Sequence, residues 1–371
     1  MAFSIGHRVS ECVNMTIVSA VPRGTGFARY AKALACARGD LRSAHAYSEG
    51  QAWRDTPQVA AALKAAVAAG STSDPAWAGS LAPLVDLASE FIEVLRPLTV
   101  LGRLIGTRPV VPNVRFVSAL TGTSVSWTGG GYPIPPSEMA LSMATIGIAK
   151  AAGLVVLTKE LAESSDPAAD GMVRADLLAA MATFLDKQFV DPAVAAVIDV
   201  SPASVTHNLI PITSSGSSVA AIVADFAALF AVPVAAGITF TSPFLVMHPV
   251  TALALSMKRG SDGLTAFPSI TVKGGSMFGI PVLVSASVPT SVSGGAIVVF
   301  IDATEIQSVE GAVLIDASEE ASLQMRTDPL NGATTLVSLF QNHLVGLRIT
   351  KFANWRSRRP GAVAYIDGCQ Y

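Results

Sequence analysis

The sequence predicts an α+β fold with a protruding hairpin and a long spine-like helix. Three observations carry that reading. Apolar periodicity changes from helical spacing to period two between Thr107 and Thr158. Within that region SALTGTSVSWTGGGYPIPPSE, residues 118–138, separates two strand patterns, as an extended hairpin with an irregular tip requires. Beyond it, one amphipathic helix of about 22 residues precedes alternating short helices and strands.

Taken in order, Gly26 to Ala37 and Pro57 to Ala69 read as short helices. The second has Thr56 as its expected N-cap, Pro57 at its first position and Gly70 as its stop. Residues 71–75, STSDP, form a turn or short linker. The next helix carries Leu84, Ala88, Phe91, Ile92 and Leu95 on one face and ends before Pro97. Val114 and Phe116 flank Arg115, and Ile146 and Ile148 alternate with small residues, which places a strand on each side of the tip.

The tip holds Trp127, Gly129, Gly130, Gly131 and Tyr132. Apolar and nearly uncharged, it suits contact with another subunit better than open solvent; an ordinary surface loop is the alternative. The long helix begins with Asp166 as cap and Pro167 in its first turn. It repeats Val173, Leu177, Met181, Phe184, Leu185 and Phe189 and ends at Asp191-Pro192. Further on come helices from Val219 to Phe230 and Val250 to Met257, and strands from Phe244 to Met247, Ile280 to Ser285 and Ala296 to Ile301. The last strands run from Thr335 to Phe340, Leu344 to Phe352 and Ala362 to Ile366.

Across the 371 residues, hydrophobic side chains make up 51% and charged ones 14%, against roughly 25% charged in ordinary soluble domains. That excludes extensive disorder and implies that much surface is covered by other subunits. The most apolar stretch, Val219 to Ile238, contains Asp225 and Pro233 and lacks flanking basic residues, so it reads as a buried helix and no membrane is expected. The opening residues have no signal-peptide core, and Cys12, Cys36 and Cys369 form no framework, as expected of a reducing compartment.

The net charge of −2 is unevenly spread. Residues 1–73 carry eight basic and four acidic side chains, and residues 346–371 five and one, while the middle is strongly acidic. These are either ordinary solvated faces or basic ends facing a polyanion. On the second reading Arg23, Arg29, Lys32, Arg38 and Arg42 face inward toward DNA phosphates, attracting them without reading sequence; the alternative is pairing with acids of neighbouring subunits.

The sequence carries no recognisable catalytic motif. His7, His45, His207, His248 and His343 are scattered without metal-site spacing. GGSMFG, residues 274–279, lacks the Lys-Ser of a phosphate loop, and Gly24-Thr25-Gly26 lacks a third glycine and a preceding strand. There is no GxSxG elbow. The expectation is no catalytic residue, no cofactor and no metal, hence no enzyme.

The order of elements resembles the tailed-bacteriophage major capsid proteins of the Hong Kong 97 type. The resemblance is carried in succession by LASEFIEVLRPLTVLGRLIGTRPVVPNVRF, GIAKAAGLVVLTKELAESS, MVRADLLAAMATFLDKQF followed by VDP, FLVMHPVTALALSMKRGSDG, MFGIPVLVSASVP, GGAIVVFIDATEI and LFQNHLVGLRITKFANWRSRRPGAVAYI. Together they cover about residues 80 to 367.

The resemblance implies an N-terminal arm over 1–80, an extended loop over 107–158, and a peripheral domain from 81–106, 159–194 and 331–371. It implies an axial domain over 195–330. It further implies self-assembly into pentamers and hexamers of an icosahedral head around double-stranded DNA. A portal, and where present scaffolding or decoration proteins, would be its partners. The expected location is the virion, with assembly in the bacterial cytoplasm.

Three departures stand out. The leading segment is short and Ala/Arg-rich, which argues against proteolytic maturation of this subunit. No lysine lies between Ser118 and Ala149, Lys150 and Lys159 falling near the loop's base, which argues against covalent cross-linking through the tip. His248 stands before Pro249 where relatives often have Asn, a packing variation. The alternative reading with the same fold is an encapsulin-like cellular compartment; an enzyme with an unrecognised site is the third.

Overall fold

A computed structural model describes residues 22, 24–51, 53, 55–67, 92–119, 126–128, 141–160, 167–290, 295–325 and 336–371. It opens with three helices, α1 (Thr25–Cys36), α2 (Leu41–Gly50) and α3 (Pro57–Val67). Tyr30, Leu34, Ala44, Val59 and Leu63 form their shared core. α2 turns Leu41, Ala44 and Tyr47 to that core, and its start is set by Asp40, whose carboxylate accepts from the Arg42 and Ser43 N–H groups. Between α1 and α2 the chain turns through Arg38 (φ 58°) and Gly39 (φ 83°). A Cβ at Gly39 would stand 2.6 Å from the Ala317 carbonyl oxygen, so only glycine lets this turn reach the body.

Residues 92–95 are helical and lead through a tight 3-10 turn to the short α4 (Val100–Arg103). The strands β1 (Arg108–Pro109), β2 (Arg115–Ala119), β3 (Leu141–Thr145) and β4 (Lys150–Thr158) follow, then α5 (Pro167–Val190). α5 is the expected long helix. It buries Leu177, Leu178, Met181, Leu185 and Phe189, whereas Phe184, off to one side of that stripe, is 48% exposed. The expected cap Asp166 lies outside the described residues.

Next come β5 (Ile212–Thr213), α6 (Val219–Ala235), β6 (Pro243–Met247) and α7 (Pro249–Met257). α6 continues five residues past the expected Phe230 because Pro233 keeps a helical φ, and the chain leaves the helix only before Gly237 (φ 68°). Among the described residues no helix is long and apolar enough to cross a membrane. His248, ahead of α7, is its N-cap: burial lowers its pKa, and the Nδ1 of the neutral ring accepts from the Val250 N–H at 3.1 Å. The remaining strands are β7 (Ile270–Thr271), β8 (Gly274–Met277), β9 (Ile280–Val284), β10 (Ala296–Asp302), β11 (Ile306–Ser318), β12 (Ser322–Gln324), β13 (Leu336–Ser338), β14 (Leu344–Ser357) and β15 (Val363–Cys369).

Two sheets organise the body. One has seven strands in the order β5-β15-β10-β6-β9-β8-β7, the other four in the order β1-β11-β14-β4. Every residue of the central strand β10 is buried. Ile297, Val299 and Ile301 face the cluster built on α5, and Val298 and Phe300 face the cluster built on α6 and α7, with Phe226, Leu229 and Leu255. A strand sealed on both faces must be apolar throughout, which is why AIVVFI lacks alternation. The α5 cluster also reaches the smaller sheet through Val313, Leu347, Ile349 and Trp355, so one core joins both sheets.

Sheet membership joins segments far apart in the chain. Ile306–Ser318, expected with the axial unit, pairs with β14 from Ile306↔Ser357 to Ser318↔Gly346 and belongs to the four-stranded sheet. Val363–Cys369, expected with the peripheral unit, pairs with β10 inside the seven-stranded sheet. The chain therefore crosses between sheets at residues 303–305 and again at 358–362. Residues 25–67, expected as part of an arm, form a helical unit whose α1 contacts α5, β11 and β14.

Candidate assembly surfaces

β2 and β3 pair antiparallel from Arg115↔Thr145 to Ala119↔Leu141, a hairpin separate from both large sheets. At its far end Trp127 is fully exposed at 105%, and Met143 on β3 is 70% exposed. Gly129, Gly130, Gly131 and Tyr132 lie outside the described residues. An indole left wholly in solvent forfeits the burial of one of the largest apolar side chains, which a partner surface restores.

The five basic residues of the first segment do not form one face. Arg29 is a correction: it is buried, donates to Asp55 at 2.8 Å and Thr56 at 2.7 Å, and lies 5.6 Å over the Trp53 ring. Helical spacing shows that it shares a stripe but not that α3 and the residues before it cover that stripe. Arg38 is half-exposed and pairs at 2.9 Å with the buried Glu319 of its own subunit, pinning the α1–α2 turn to the end of β11. Lys32 is half-buried, Arg42 is exposed, and Arg23 lies outside the described residues.

An ionic cluster that the sequence does not announce centres on Glu305. Glu305, in the turn after β10, is buried, with Arg358 donating to it at 2.7 and 2.8 Å and Arg359 at 2.7 and 3.0 Å. Burial alone would raise the Glu305 pKa, but the hydrogen bonds and charges of the two guanidiniums bring it down to about 2. The basic C-terminal run was visible; its partner, 53 residues earlier, was not.

Beside this cluster opens a cleft of about 610 Å³, lined among others by Thr145, Ala203, Trp355, Arg356, Arg358 and Arg359. Arg356 is exposed, and Trp355 donates from Nε1 to the Ala203 carbonyl at 3.0 Å, which fixes one wall.

Two further buried carboxylates are structural. Asp186 on α5 accepts from the Val100 N–H and the Ser285 hydroxyl, both at 2.6 Å, and burial raises its pKa despite those bonds. Asp225 on α6 accepts from Ser214, Ser215 and the Tyr371 hydroxyl; burial would raise its pKa, but these bonds hold it below the carboxylate range. Among the described residues no group of three His, Cys, Asp or Glu side chains stands ready to hold a metal.

The body has two sheets sharing one core with the partly buried α5, a hairpin apart from both sheets, and exposed apolar side chains such as Trp127 and Met143. The chain belongs to the phage capsid family, whose family model matches residues 83–368. It is 40% identical over 366 residues to the capsid polyprotein of Pseudomonas phage PAJU2, covering 94% of this chain and 54% of that one, so it spans about half the length of this curated relative. A solved chain of Mycobacterium phage Adephagia superposes with a TM-score of 0.53 at 13% identity, covering 74% of this chain and 91% of that one. A chain from the capsid of a native GTA particle gives 0.50 at 14%, covering 72% and 88%. The likeness to these solved structures shows the fold, the Hong Kong 97 type expected from the succession of elements.

Proposed function

We propose that this chain is the major subunit of a tailed-phage head, closing with copies of itself into an icosahedral shell of pentamers and hexamers around double-stranded DNA. The encapsulin-like alternative is not favoured, since the family match is to phage capsids. The observation that carries the proposal is the family fold together with apolar surface left open on a charge-poor subunit, including Trp127 at the hairpin tip. Many modest apolar contacts, repeated by symmetry, are how such shells hold.

The four-stranded sheet with α5 is assigned to the peripheral unit, the seven-stranded sheet to the axial unit, and residues 107–158 to the extended loop. Its role is architectural, without a reaction to catalyse. A portal and any scaffolding or decoration proteins are its proposed partners, and the host cytoplasm its place of assembly. Contact with packaged DNA falls to exposed basic residues such as Arg42, because Arg29 and Arg38 already pair with acids of their own subunit.

The test is nuclease protection. Particles purified from infected cells should contain this chain as their most abundant protein and hold DNA that resists nuclease until the shell is opened. Particles in which this chain is a minor component would contradict the proposal.

A further inference from the structure

After α5 the chain makes a small, tight turn from Val197 to Ser201. Two backbone bonds of 3.0 Å between Val197 and Ser201 close it, and Asp199 stands at its tip in the left-handed region (φ 60°). The turn is braced from behind by Ser204 N–H on the Val194 carbonyl, and by Thr206 donating to the Val190 carbonyl at 2.6 Å. A rigid surface turn has no reason to be apolar. Yet Val197 is 54% exposed, Ile198 88% and Val200 61%, and the Asp199 carboxylate has no partner among the described residues. This is a preformed apolar knob with one negative charge.

The cleft beside Arg356 has the complementary character. Arg358 and Arg359 supply two positive charges against the single charge of Glu305, and exposed Arg356 has no partner among the described residues. We propose that the Val197–Ser201 knob of one subunit seats in the arginine-lined cleft of a second copy, with Asp199 meeting Arg356.

DNA phosphate fits the cleft less well. Arg358 and Arg359 are held in fixed orientation by Glu305, which suits one carboxylate at one position more than a backbone that must slide. The knob's valines and isoleucine have nothing to gain from phosphates and apolar contact to gain from the half-buried Pro202 and Ala203 in the cleft wall. The knob leads directly into cleft-lining Ala203, so both features lie on one surface. A pair of copies related by a twofold axis can therefore use each feature twice.

This inference rests on the shell-subunit reading, and charge exchange tests it. The wild-type chain, Asp199→Lys, Arg356→Glu, the double variant and Ile198→Ser are produced with the same partners. Circular dichroism checks folding, and sedimentation gives the fraction assembled. The single variants should fold normally and assemble about tenfold less at matched concentration, and the double variant should recover to within about twofold of wild type. Single variants that assemble like wild type, or a double variant with no recovery, would overturn the proposal. So would Arg356→Glu shells of normal yield that protect less DNA, because the cleft would then serve phosphates. A wild-type chain that never leaves the monomer would overturn the shell reading and this pairing together.

Discussion

Glu305 and Arg358 meet through two parallel hydrogen bonds of 2.7 and 2.8 Å at the place where the chain passes between its two sheets. Glu305 follows β10 on the way out of the seven-stranded sheet, and Arg358 follows β14 on the way back. Arg359 grips the same carboxylate, so one buried acid pins the crossing after β10 to the one after β14.

Replacing Glu305 with alanine leaves two largely buried guanidiniums unpaired and should cost about 3 kcal/mol in denaturant unfolding of the dissociated subunit. Because the folded-state pKa lies near 2, below the ordinary 4.5, the stabilisation is complete above about pH 4.5 and fades as pH falls toward 2. The alanine variant should lose that part of the wild-type acid sensitivity. An unchanged acid profile would show that the clamp does not set it.

Asp186 gives a contrast of opposite sign. Its pKa is raised by burial, so its ionisation weakens the fold as pH rises through the folded-state value. Asp186→Asn keeps an acceptor for the Val100 N–H and should change stability by less than about 1 kcal/mol at neutral pH, whereas Asp186→Ala orphans that buried N–H and should cost about 1–3 kcal/mol. Equal losses in thermal or urea unfolding would contradict this division.

Much of the core was legible in the sequence because strong local patterns carry it. The AIVVFI run announces a strand buried on both faces, and the Leu177–Phe189 stripe announces α5. α2 was missed because its inward stripe of Leu41, Ala44, Tyr47 and Ser48 is short and half small or polar, so the Asp40 cap carries much of its signal. β11 was missed because Gly311 falls in a register shift between Glu310 and Val313, which breaks the alternation. Sheet membership was not legible because it depends on pairing between distant segments, such as β10 with β15. The same distance hides the Glu305–Arg358 clamp, whereas the exposure of Trp127 follows from a loop too rich in Gly and Pro to bury it.

Trp127→Asp should leave subunit unfolding within about 0.5 kcal/mol of wild type, since the ring touches solvent only, yet lower the yield of shells. Particle yield by sedimentation beside an unfolding curve separates the two effects. Normal yield would remove the hairpin tip from the assembly interface.

Mature particles boiled in detergent should run as single chains. The loop from Ser118 to Ala149 contains no lysine, and Lys159, near its base, lies 3.8 Å from Glu319 within its own subunit. A ladder of covalent multimers on the gel would contradict this.

The central claim is that this chain builds a closed shell from copies of itself. Electron microscopy of the product expressed with its assembly partners tests that most directly. The account predicts closed particles whose surface resolves into rings of five and six copies of the two-sheet subunit, with the hairpin of each lying on a neighbour. Fields showing only isolated subunits, with sedimentation confirming a stable monomer at every concentration and salt tried, would contradict it.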